Sequence, residues 1–254
     1  MRIRCSEHQN RLWFIDKFEK KYIYESSPTY HNIPLIVKIS QDLILTKFEE
    51  SVKKVADRSL ILKTKFKTHN DFPFQIREGS SLFSLNYHQN LNSKDESKIK
   101  KVAFEIAKQP FDIESDTLIR FDLIPCSINQ YVFVITAHHL IADRKTLEIL
   151  FSDIISEYFN IHVPDSDNLE YADYSEWQND LTDENLEPFF FYWKKKLNNA
   201  RILYLDTDVQ RPHIHTYKAA FKNQSLSQDL SGKIEMFCEK HNTSPFYFFL
   251  TIFN

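Results

Sequence analysis

Residues 136–150, TAHHLIADRKTLEIL, set His138 and His139 side by side behind an apolar run, with Asp143 five positions after the first histidine. Imidazole and carboxylate so close together are groups for acid–base chemistry or for metal binding. A metal fits poorly. Neighbouring residues on a strand point to opposite faces, so the two imidazoles diverge, and no third ligand lies at metal-site spacing. The same divergence suits acid–base work: one imidazole faces a cleft while its neighbour turns inward and supports the backbone. Asp143 falls where strand passes into helix. A carboxylate there can cap the helix, or pair with a cation and brace the turn.

The elements that must position these residues are legible in the hydrophobic pattern. LIRFDLIP (118–125) and YVFVITA (131–137) read as an antiparallel strand pair around a polar turn, the second strand delivering the histidines. Beyond them Leu147, Leu150, Phe151, Ile154, Ile155 and Tyr158 mark a helix of about four turns. Upstream, NIPLIVKIS (32–40) reads as a strand, and residues 45–66 as an amphipathic helix on Phe48, Val52 and Val55 that passes into extended chain. FPFQIRE and LFSLNYH are short strands around Gly79, and a helix runs near Glu96–Gln109. Residues 5–20 predict a helix capped by Ser6, with Leu12, Ile15 and Phe18 on its apolar stripe. Strand and helix alternate without regular βαβ order, which predicts an α+β sandwich. Residues 164–168 read as a linker, EPFFFYWKKKLNNA (187–200) as an aromatic helix, and Ser244–Pro245 as the start of an apolar helix running almost to the last residue. A domain seldom stops inside such a helix, so the chain is expected to be an incomplete domain.

Composition narrows the function classes. Of 254 residues 42% are hydrophobic and 22 are Phe, enough for a substantial core. A net charge of −3 without a like-charge block argues against a nucleic-acid partner. Only Gly79 and Gly232 are glycines, which excludes phosphate-cradling and dinucleotide loops that need several close together. Cys5, Cys126 and Cys238 lie far apart, in neither a disulfide framework nor a zinc motif. No apolar run approaches a membrane span and the N-terminus has no signal-peptide pattern, so a cytoplasmic protein with no membrane partner is expected.

Taken together the motifs resemble a known family. HHLIADR is similar to the HHxxxDG motif shared by chloramphenicol acetyltransferase, related acyltransferases and the condensation domains of nonribosomal peptide synthetases. SEHQNRLWF (6–14) resembles the opening SxxQxRLWF motif of condensation domains, and YHNIP (30–34) their YNIP. DRSLILKTKF (57–66) resembles their RHxxLRTxF, with Ser59 for the histidine and Lys63 for the second arginine. PFDIESDTLIRFDL resembles their PFDL…PLLR stretch, and YADYSEWQ, YWKKKL and LDTDVQRP match the landmarks that open the second lobe.

The resemblance implies a chloramphenicol acetyltransferase-like lobe over residues 1–168 and the incomplete start of a similar lobe over 169–254. It implies amide formation in nonribosomal peptide synthesis: the amine of an acceptor aminoacyl thioester attacks a donor acyl thioester. Donor and acceptor carrier-protein domains and adjacent synthetase modules would be the partners. Phosphopantetheine would arrive on those carriers, the domain having no cofactor of its own. Carried over by position, His139 is the catalytic imidazole, His138 and Asp143 are structural members, and Asp143 is expected to pair with Arg58. One departure bears on activity: Arg144 stands where the motif has glycine, either crowding a backbone that needs glycine or pointing to solvent from the first helical turn. Two rival readings are a stand-alone acyltransferase that uses coenzyme A or a carrier, and a non-catalytic lobe that docks carrier proteins.

Overall fold

The computed structural model describes residues 2–22, 29–77, 83–89, 95–161, 169–201, 207–210, 220, 222 and 224–253. In chain order the elements are β1 (Arg2–Arg4), α1 (Glu7–Tyr22), β2 (Asn32–Ile39), α2 (Leu45–Arg58), β3 (Thr64–His69), β4 (Phe72–Arg77), β5 (Leu85–Tyr87), α3 (Glu96–Ala107), β6 (Ile119–Ser127), β7 (Gln130–His138), α4 (Arg144–Tyr158), α5 (Tyr171–Asn179), α6 (Asp183–Lys196), α7 (Gln228–Lys240) and α8 (Pro245–Phe253). One sheet has the order β2-β7-β6-β5 and a smaller one β1-β4-β3. All pairings are antiparallel except β5 with β6. The mixture is the expected α+β arrangement.

The central strands β6 and β7 are buried on both faces, which is why YVFVITA is nearly continuously apolar. Phe121 and Phe133 stack diagonally across the β6–β7 pair on one face, and Phe48 of α2 meets Phe133 edge-on at 5.1 Å. Leu147, Leu150 and Ile154 of α4 join the same core. On the opposite face Val132, Val134 and Ile124 pack under Ile99, Ala103 and Ile106 of α3. Helices on both faces thus clamp β7, and a strand held that way has little freedom to move what it carries at its end.

The α1 helix departs from its predicted stripe. Its buried residues are Gln9, Leu12, Asp16 and Glu19, while Phe14, Phe18 and Tyr22 are exposed. The spacing is still helical, but three of the four buried side chains are polar, and an apolar-period reading passes over such a face. Ser6 does cap the helix, accepting from the Gln9 N–H at 3.2 Å.

Two compact units are present, Met1–Ile202 and Leu203–Asn254. In the first, α5 packs on β1 through Arg4, whose guanidinium bonds Glu176 and Asp180. The linker 164–168, with the expected lobe boundary at 168, and half of LDTDVQRP lie outside the described residues. Helix α6 exposes Phe189, Phe190, Phe191, Tyr192 and Trp193 by more than half each. In the second unit α7 and α8 pack together, Phe237 meeting Phe248 at 5.4 Å. Contiguous aromatic exposure of the α6 kind marks an interaction surface.

Candidate active site

β7 ends at His138, which pairs across the sheet with Asn32 of β2. The next residues form a tight turn whose backbone is tied on every side. His138 N–H donates to Leu118 carbonyl (2.9 Å), His139 N–H to His31 carbonyl (3.0 Å), and Ile141 N–H to His138 carbonyl (3.1 Å). From α1 the buried Gln9 amide donates to Leu140 carbonyl at 3.2 Å. Leu140, Ile141 and Ala142 anchor the turn in the core.

The two imidazoles diverge as strand geometry requires. His138 is 1% exposed, its ring set among His31 (5.5 Å between centroids) and Phe111 (6.3 Å, edge-on). Its Nδ1 accepts the Leu140 N–H at 3.2 Å. Burial pushes its pKa down to about 3, so the ring is neutral at physiological pH. His139 is exposed, and among the described residues no side chain hydrogen-bonds its ring. A solvent-facing imidazole on a fixed turn is an arrangement that can exchange a proton with an incoming group.

Asp143 takes the capping role of its two open alternatives. Its carboxylate accepts from Thr146 N–H (2.7 Å) and Thr146 Oγ1 (2.8 Å), and Thr146 Oγ1 accepts from the Asp143 N–H, closing a capping box on α4. These bonds hold its pKa below the usual carboxylate range. The expected partner Arg58 is elsewhere: it pairs with Glu157 at 2.5 Å. The last turn of α4 lies across α2, so Glu157 reaches Arg58 and Lys54, about 21 Å along the helix from Asp143. The structure therefore brings His138, His139 and Asp143 together and leaves Arg58 outside. Arg144 opens α4 at negative φ, is largely exposed, and pairs with Glu148 at 3.0 Å. The backbone there is helical and does not itself require glycine, and Arg144 pairs with Glu148, not Asp143.

Asp143→Ala is expected to cost about 0.5–2 kcal/mol of stability at pH 7, with Asp143→Ser close to neutral. Because the folded pKa is depressed, the cap stabilises above the unfolded pKa and is lost as pH falls through the folded one. The loss on Asp143→Ala should accordingly vanish in strong acid. Denaturant midpoints across pH check both.

Sequence reasoning passed over three members of the site: Gln9, which holds the turn; His31, buried beside His138; and Asp16, buried with its Oδ2 4.0 Å from His138 Nε2. Gln9 was visible as the glutamine of SEHQNRLWF. Asp16 was visible only as the next step of a polar helical stripe. No group of three His, Cys, Asp or Glu able to hold a metal occurs among the described residues. No helix among them is long and apolar enough to cross a membrane.

Comparison with known proteins agrees with this geometry. The family model described as Condensation domain matches residues 2–254. The chain is 28% identical to one of the linear gramicidin synthase subunits of Brevibacillus parabrevis over 96% of its length, which is 3% of that protein. It is 25% identical to chondramide synthase cmdD of Chondromyces crocatus over 98% of its length and 6% of the relative. In fold it resembles the X-domain from teicoplanin biosynthesis, with TM-score 0.74, 20% identity, and coverage of 96% of this chain and 54% of that one. It also resembles part of holo-AB3403, a four-domain nonribosomal peptide synthetase, with TM-score 0.76, 19% identity, and coverage of 94% and 18%. The chain thus spans a small part of the synthetases it matches and about half of the X-domain. With motif order, fold and family match in agreement, this chain belongs to the condensation domain family of nonribosomal peptide synthetases.

Proposed function

We propose that the chain takes part in amide-bond formation between two carrier-bound thioesters. The α-amine of the acceptor aminoacyl thioester attacks the carbonyl of the donor acyl thioester, a tetrahedral oxyanion forms, and the donor thiolate leaves. His139 serves this step at its exposed ring, accepting the amine proton or holding the amine and stabilising the developing charge. His138 and Asp143 act structurally, one buried under the turn and the other at the head of α4. Arg58 is assigned to packing between α2 and α4 instead.

The observation that carries this reading is the contrast between the histidines. One imidazole is exposed on a turn fixed by five hydrogen bonds, and its neighbour is buried and neutral. The domain needs no cofactor of its own in this scheme, since phosphopantetheine arms on donor and acceptor carrier domains present both thioesters. Adjacent synthetase modules supply those carriers. The lobes are assigned as 1–168, holding the histidines, and 169–254, beginning a second lobe, with the aromatic face of α6 as a surface for further protein.

The test is intact-mass measurement of the acceptor carrier after mixing the protein with a loaded donor carrier and a loaded acceptor carrier. The expected result is an acceptor heavier by the donor acyl group, absent when either carrier is unloaded. Carrier binding without any mass change would instead favour a docking lobe, and acyl transfer from coenzyme A would favour a stand-alone acyltransferase.

A further inference from the structure

His138 Nδ1 accepts the Leu140 N–H, so in the neutral ring the proton sits on Nε2. That Nε2 is buried without a hydrogen-bond partner, and so are both carboxylate oxygens of Asp16. Asp16 is 0% exposed, and its Oδ2 lies 4.0 Å from His138 Nε2. With a neutral ring the contact is a donor dipole facing a carboxyl group, not an ion pair. Burying a carboxyl group so completely is costly, and burial raises its pKa to about 6. Lys17, Lys20 and Glu19 on α1, and Asp112 in the segment before β6, are the charged groups that act on it. Lys17 and Lys20 are committed to Glu114 and Asp112. The donor that faces Asp16 most directly is therefore the imidazole.

We propose that Asp16 is the positioning residue of the histidine motif. Its carboxylate holds His138 in the Nε2–H tautomer, which keeps Nδ1 free to accept from Leu140 and so fixes the turn that presents His139. The other tautomer would place a hydrogen on Nδ1 against the Leu140 N–H, two donors face to face, and the turn would open. Gln9, seven residues earlier on the same buried stripe of α1, holds the carbonyl of that same Leu140. One helix face thus governs both backbone groups of one residue, Gln9 directly and Asp16 through His138. The catalytic consequence rests on the proposed role of His139, whereas the tautomer does not.

The experiment is nitrogen-15 NMR of the histidine-labelled full chain at pH 7, with His138 assigned by its loss in His138→Gln, together with amide exchange at Leu140. In the native protein His138 should show a protonated Nε2 and an unprotonated Nδ1. Asp16→Asn, whose side-chain carbonyl still accepts, should keep that pattern. Asp16→Leu, close in volume and free of buried charge, should populate the Nδ1–H form and speed Leu140 exchange at least about tenfold. A native ring that is doubly protonated or carries its proton on Nδ1 overturns the proposal, as does an Asp16→Leu protein with tautomer and exchange unchanged. Should Asp16→Leu fail to fold, the native protein and Asp16→Asn still decide: loss of the Nε2–H form in Asp16→Asn contradicts it. Because no readout needs product, failure of amide formation and failure of this assignment are separate results.

Discussion

His139→Ala is expected to slow amide formation by about 10²–10⁴-fold, the usual range for loss of a positioned acid–base side chain. The size follows from where the ring sits. It is exposed, no described side chain holds it, and its backbone N–H bonds His31 carbonyl whichever side chain is present. Truncation therefore removes an imidazole and nothing else, and stability should change by no more than about 0.5 kcal/mol. Residual product reflects binding and proximity of the two thioesters alone. Single-turnover rates with loaded carriers, set beside thermal unfolding of both proteins, check the pair of values.

The largest effect on stability is expected at Phe133. Its side chain is fully buried in the middle of β7, against Phe48 at 5.1 Å, Phe121 at 6.4 Å and Phe151 at 6.2 Å. Three aromatic neighbours on a clamped sheet cannot close the space, so Phe133→Ala should cost about 3–5 kcal/mol. That is a large part of the roughly 5–15 kcal/mol that holds a domain together. Phe14→Ala, at a site 62% exposed, should change little and serves as the control. Urea midpoints measure both, provided the slopes agree.

The core of the first unit was legible because its signals are apolar and periodic. Phe48, Val52 and Val55 fall on the buried stripe of α2, and Leu147, Leu150, Ile154 and Tyr158 on that of α4. The hairpin of β6 and β7 announced itself by two apolar runs around a polar turn. Helix α1 misled for the opposite reason. Apart from Leu12 its buried face is Gln9, Asp16 and Glu19, and polar residues tolerate burial only through partners far along the chain, such as Leu140 and His138. No local pattern contains those partners. The same holds for Arg58: family position pointed to Asp143, but the crossing of α4 over α2 puts Glu157 in reach, and a crossing angle is not written in either helix alone. Arg144 shows the reverse case. Of the two readings of Arg144, the backbone one is resolved: the residue is a first-turn side chain on helical backbone, paired with Glu148.

The divergence of His138 and His139 is tested most directly by changing both histidines in one experiment with two readouts. Rate of amide formation and unfolding midpoint would be measured for the native chain, His138→Ala and His139→Ala. His139→Ala is expected to lose the rate and keep the midpoint, whereas His138→Ala should lower the midpoint through the buried turn. Full rate in His139→Ala, or a rate lost only in proportion to stability, would contradict that expectation.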